Sequence, residues 1–102
     1  MDIRGFYLRL CGMFNELRQN LINLGKENID AVMSGYTHLQ PSEPITFGHY
    51  CAGVLNALGR DYERIQNAWK ALNICPLGGG SMGSTTFMIN RNRTSALLGF
   101  DE

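Results

Sequence analysis

Between Gly35 and Pro41 the chain reads Tyr36-Thr37-His38-Leu39-Gln40, with four hydrogen-bonding side chains in five positions. An imidazole titrates near neutral pH and suits proton transfer. A threonine hydroxyl and a glutamine amide can both donate to carboxylate oxygens. Together they can face one anionic ligand. A structural loop histidine is the competing reading of His38 on residue type alone. His49 lies in the first turns of a helical segment and reads as a packing or capping partner of the loop.

A second stretch, Gly78-Gly79-Gly80-Ser81-Met82-Gly83-Ser84, fits G-x-G-x-x-G. A dinucleotide site needs that pattern between a strand and a helix, because the pyrophosphate sits on the N-terminus of the helix. Here a long helical segment precedes it, so it reads as a connector with left-handed positions. It also lacks a Lys before Ser84, which a phosphate-binding loop requires. Cys11, Cys51 and Cys75 are odd in number and too far apart for a metal knuckle or redox pair. They read as reduced thiols, Cys11 and Cys51 as small apolar core residues. No metal and no cofactor is expected.

The elements that position these residues are helical. Ile3, Tyr7, Leu10, Phe14, Leu17, Leu21 and Leu24 alternate steps of four and three, which is a heptad seam. They predict a helix over 3–32. Cys51, Leu55, Leu58, Tyr62, Ile65, Trp69 and Leu72 repeat the pattern and predict a second helix over 45–73. Gly48, Gly53 and Gly59 inside it weaken helix propensity and imply tight packing. Gly35, Pro41 and Pro44 mark 33–44 as a loop, with Pro44 opening the second helix. A glycine-rich loop over 76–86 and a short helix over 91–98, stopped by Gly99, complete the pattern. The fold class expected is all-α, two long antiparallel helices joined by a loop. Helices of about 28 residues run roughly 42 Å. Two of them cannot cover their own apolar faces, so a larger bundle or an oligomer is expected.

The chain has 102 residues, 44 % of them hydrophobic and 18 % charged, with a formal net charge of zero. That is one domain at most. A neutral chain lacks the basic stripe of a general nucleic-acid binder. No apolar run reaches the ~18–20 residues of a membrane span, and no signal peptide is visible. The location expected is cytoplasmic.

The run from Ser34 to Pro41, then Pro44-Ile45-Thr46-Phe47-Gly48-His49, closely resembles the central segment of argininosuccinate lyases. Pro76-Leu77-Gly78-Gly79-Gly80, Gly83-Ser84-Thr85-Thr86-Phe87 and Ala96-Leu97-Leu98-Gly99-Phe100 resemble the same family, so the likeness runs from about Arg4 to Phe100. The Thr-His-Leu-Gln element is shared across the fumarase/aspartase superfamily, and the preceding Gly35-Tyr36 favours the argininosuccinate branch. The resemblance implies a segment, 1–102, of the central helical bundle of a homotetramer whose active sites draw on three subunits. It implies β-elimination of argininosuccinate to arginine and fumarate, in arginine biosynthesis. On the family pattern His38 is the catalytic residue, acting in proton transfer or orienting the substrate and stabilising charge, and Thr37 and Gln40 bind substrate. The serine thought to act as base belongs to a motif outside this chain, and Ser81 is not assigned that role. The isolated segment is expected to be inactive. Two other readings stand beside this one: another lyase or cycloisomerase of the superfamily, and a non-enzymatic helical assembly module.

Overall fold

The computed structural model describes residues 2–83 and 85–101. Met1, Glu102 and Ser84 of the glycine-rich loop lie outside the described residues. The order is helix α1 (Asp2–Glu27), strands β1 (Val32–Thr37) and β2 (Gln40–Thr46), helix α2 (Phe47–Leu72) and helix α3 (Arg91–Leu98). The chain is thus mainly helical, and its two long helices lie antiparallel. Each spans 26 residues, about 39 Å.

The antiparallel register can be followed ring by ring. Tyr7 meets Trp69 with ring centroids 4.9 Å apart, and Phe14 stacks on Tyr62 at 5.9 Å. Tyr7 also donates its hydroxyl to the Ile65 carbonyl at 2.9 Å. At the other end the buried Cys51 lies against Gly25. The α2 stripe Cys51, Leu55, Leu58, Tyr62, Ile65, Trp69 and Leu72 is buried or half-buried throughout, as its heptads require.

On α1 the packed stripe differs from the expected one. Tyr7, Phe14 and Leu21 face α2, but the alternate positions are Arg4, Cys11, Arg18 and Gly25. Ile3, Leu17 and Leu24, one residue back along the helix, remain exposed. Arginine can fill a seam because its stem packs while its planar head stacks on a ring. Arg18 Cζ lies 5.0 Å from the Tyr62 ring centroid. Arg4 Cζ lies 4.3 Å from Phe100 and 5.7 Å from Trp69. Arg4 also donates to the carbonyls of Leu98 (3.1 Å) and Gly99. It thereby ties the start of α1 to the end of α3, where Gly99 takes the left-handed cap expected of it, φ 66°.

The segment 33–44, expected as a loop, is the greater part of a β-hairpin. Val32 pairs with Thr46, Met33 with Ile45, Ser34 with Pro44, Tyr36 with Pro41 and Thr37 with Gln40. Pro41 and Pro44, which mark a loop by sequence, both lie in β2. In a two-stranded ribbon both strands are edges, so a missing N–H is tolerated. Pro44 therefore lies in β2 and does not open the second helix. That helix begins at Phe47, capped by Thr46, whose hydroxyl accepts from His49 N–H at 3.1 Å.

Helix α1 ends at Glu27, short of 32. The Asn28 side chain donates to the Leu24 carbonyl at 2.9 Å and satisfies the last turn. The Asn28 carbonyl accepts from Gly48 N–H at 3.1 Å, and Ala31 accepts from Phe47 N–H at 2.8 Å. The turn after α1 thus supplies acceptors for the start of α2. Close approach there requires glycine. A Cβ on Gly48 would lie 2.9 Å from Ile29 Cα and 3.0 Å from the Gly25 carbonyl. Gly53 and Gly59, expected to mark tight packing as well, meet nothing within 4 Å among the described residues.

The chain measures 70 × 27 × 16 Å with a radius of gyration of 22.4 Å. A compact domain of this length has about 13 Å. Tyr7, Cys51 and Cys75 are the buried apolar residues among those described. The fold is a rod with a hairpin at one end, and most of its apolar surface is uncovered.

Candidate functional site

Thr37, His38 and Gln40 sit at the tip of the hairpin. The two-residue connection His38-Leu39 joins Thr37 directly to its cross-strand partner Gln40. Directly opposed residues share a face of the ribbon, with Cβ atoms about 5 Å apart. The hydroxyl of Thr37 and the carboxamide of Gln40 are therefore neighbours. His38 follows at the turn itself. The structure brings together the three residues singled out in the sequence, and all three are exposed. A carboxylate lying along that face could take one hydrogen bond from each strand, with an imidazole beside it.

The turn and the ribbon below it are unusual in their backbone. His38 (φ 47°) and Leu39 (φ 61°) are both left-handed, a conformation in which glycine or asparagine normally stands in a two-residue hairpin. Below the tip the register shifts between Ser34 and Tyr36. Gly35 stands alone there opposite Ser42 and Glu43, a bulge that bends and twists the ribbon. A Cβ on Gly35 would lie 2.9 Å from the Glu43 carbonyl oxygen, so any side chain there would have to displace the facing strand. Neither feature was legible as part of a site, because His-Leu carries no turn signal and Gly35 reads as ordinary loop punctuation.

His49 is not part of this cluster within the chain. It lines an open groove of about 440 Å3 at the base of the hairpin, with Val32, Pro44, Ile45 and Thr46. Val32 at the base and Thr37 at the tip are the two ends of β1, about 17 Å apart at the usual rise. The His49 backbone N–H donates to the Thr46 hydroxyl, the cap of α2. Among the described residues no group of three or more His, Cys, Asp or Glu side chains is placed to hold a metal. Also among them, no helix is long and apolar enough to cross a membrane. The cysteines are free, Cys51 and Cys75 buried and Cys11 half-buried. Tyr7 is the one group with a clear shift among the described residues: burial raises its phenol above the ordinary value, reinforced by the Cys11 thiol and by Tyr62. It lies in the helix seam, away from the hairpin.

The long helical pair thus ends in a hairpin that presents Thr37-His38-Leu39-Gln40. A family model described as lyase matches residues 6–100, and the chain belongs to that family. Relatives within it include argininosuccinate lyases. The chain is 43 % identical over 101 residues to argininosuccinate lyase of Methanococcus aeolicus, covering 99 % of this chain and 21 % of the relative. It is 46 % identical over 100 residues to argininosuccinate lyase 1 of Shouchella clausii, covering 98 % and 20 %. Among solved structures, EDDS lyase in complex with formate superposes with a TM-score of 0.93 at 34 % identity, over 97 % of this chain and 20 % of that one. A variant of EDDS lyase with bound fumarate matches equally well. The chain spans about a fifth of the length of the curated relatives it matches.

Proposed function

We propose that this chain is the hairpin-bearing segment of an argininosuccinate lyase, a carbon–nitrogen lyase that splits argininosuccinate into arginine and fumarate. The hairpin tip carries the reading: Thr37 and Gln40 stand opposite each other and His38 fills the turn between them. In the reaction a base removes a proton from the carbon next to a carboxylate. The electron pair of the broken C–H bond first moves onto the carboxylate oxygens, and it returns as the new C=C bond only as the C–N bond breaks. The electrons of the C–N bond leave with the guanidino nitrogen, and an acid protonates that nitrogen. The intermediate gathers negative charge on the carboxylate oxygens. Fixed donors aimed at those oxygens are a large term in such catalysis. Thr37 and Gln40 supply two donors and bind substrate. His38 moves a proton or stabilises the charge at the same place. The base itself comes from outside this chain.

The exposed tip needs further walls to exclude water. The uncovered apolar face of α1, with Ile3, Phe6, Met13, Leu17 and Leu24 exposed, needs further helices. The buried side-chain oxygen of Asn73 also has no hydrogen-bond partner among the described residues. All three fit a bundle assembled from several copies, a homotetramer, in the cytoplasm. The role is arginine biosynthesis.

A second reading, another lyase of the superfamily, is favoured by the close superposition on EDDS lyase. The higher identity to argininosuccinate lyases sets it behind. The test is turnover by the full-length protein that carries this chain. His38→Asn is expected to lower kcat by ~100-fold or more, within the range of lost acid–base catalysis. Thr37→Val is expected to raise KM. Unchanged turnover in His38→Asn would remove His38 from the chemistry. An inactive wild type would favour a purely structural assembly.

A further inference from the structure

We propose that Leu39 is a positioning residue for His38, acting through the left-handed turn the two share; this rests on the reading of His38 as the proton-transfer group. Both residues have φ in the left-handed region, 47° and 61°. Side chains with a Cβ are disfavoured there, and β-branched ones most of all. Leucine has no packing reason to occupy the position within this chain, because it is 91 % exposed.

The turn is held from both sides. Gln40 precedes Pro41, whose ring restricts Gln40 to extended backbone. Pro41 itself has a fixed φ and pairs with Tyr36. On the other strand the bulge at Gly35 pins the register, since any slip would carry a side chain against the Glu43 carbonyl. The strain of two left-handed residues therefore cannot relax by sliding the strands. It stays in the turn and fixes the peptide plane between His38 and Leu39. That plane sets the direction of the His38 Cα–Cβ bond relative to the Thr37–Gln40 pair. If residue 39 returned to negative φ, the turn would open and the imidazole would swing away from the two donors.

The consequence is a rank order that follows backbone preference and ignores hydrophobicity. In the full-length protein, Leu39→Asn and Leu39→Gly keep the left-handed turn and hold kcat within about threefold of wild type. Leu39→Ile and Leu39→Val resist it and lower kcat by about ten- to a hundredfold, the scale of a displaced catalytic group, with little change in KM. Amide exchange over the peptide containing Gln40 is read on the same variants. It slows in Asn and Gly and speeds up in Ile and Val, because the turn-closing pair opens more often. The opposite order, Ile and Val active with Asn and Gly impaired, would show an apolar contact made by Leu39 and overturn the proposal. Four variants indistinguishable in turnover and exchange would overturn it too, as would equal loss of turnover in all four. Should the wild type release no fumarate from argininosuccinate, the functional reading falls. The exchange order then tests the turn by itself: the predicted order keeps the device, and its absence removes it.

Discussion

Replacing Gly48 by alanine tests the joint on which the hairpin stands. The added Cβ would lie 2.9 Å from Ile29 Cα, 3.0 Å from the Gly25 carbonyl oxygen and 3.3 Å from the Asn28 carbonyl oxygen. Carbon atoms pack best at about 3.5–4.0 Å, so the contact is roughly 0.6–1 Å too close. All three atoms are backbone, and no rotamer change relieves them. The helices must separate, and the two hydrogen bonds at the joint, Phe47 N–H to Ala31 and Gly48 N–H to Asn28, stretch with them. Overpacking of this kind costs about 1–3 kcal/mol. Each weakened hydrogen bond adds up to about 1 kcal/mol. Alanine regains at most about 1 kcal/mol of helix propensity, and less in the first turn. The net expectation is a loss of about 1–3 kcal/mol, read as a lower urea midpoint for the full-length protein. Gly48→Ser should match or exceed the loss and Gly48→Val should exceed both. A midpoint for Gly48→Ala equal to or above that of wild type would refute the close approach.

Three further outcomes follow from other contacts. Arg4→Met keeps a packing stem but removes the donors to the Leu98 and Gly99 carbonyls. Amide exchange in α3 should rise about fivefold, the equivalent of about 1 kcal/mol, with α2 unchanged. Tyr7→Phe removes a phenol whose folded-state pKa is raised by burial. Stability from a raised group is complete below the unfolded value near 10 and is lost as pH climbs through the folded one. The wild type should therefore lose stability above about pH 10 more steeply than Tyr7→Phe, by urea unfolding at a series of pH values. Gly35→Ala sets a side chain against the Glu43 carbonyl and should lower kcat about tenfold or more by tilting the tip, with little effect on the helix pair by far-ultraviolet dichroism.

The sequence was most readable where period alone decides the outcome. The α2 stripe from Cys51 to Leu72 packs as its heptads require, and the short helix 91–98 with its Gly99 stop has the bounds its pattern implied. On α1 the apolar residues outnumber the positions that α2 can cover. Hydrophobicity alone chose Ile3, Leu17 and Leu24, whereas Arg4 and Arg18 reach the seam by stacking on Trp69, Phe100 and Tyr62. The hairpin was hidden by its prolines, which read as loop, and by a His-Leu turn without Gly or Asn. The residue types at the tip were legible as chemistry before the strands were. Their arrangement was not, because the cross-strand pairing of Thr37 with Gln40 depends on that turn.

The proposal that this hairpin serves an argininosuccinate lyase stands or falls on the product released. Its most direct test is to incubate the full-length protein with argininosuccinate, then with adenylosuccinate, and follow fumarate in the ultraviolet. Fumarate is expected from argininosuccinate alone. Fumarate from adenylosuccinate alone, or from neither substrate, would contradict it.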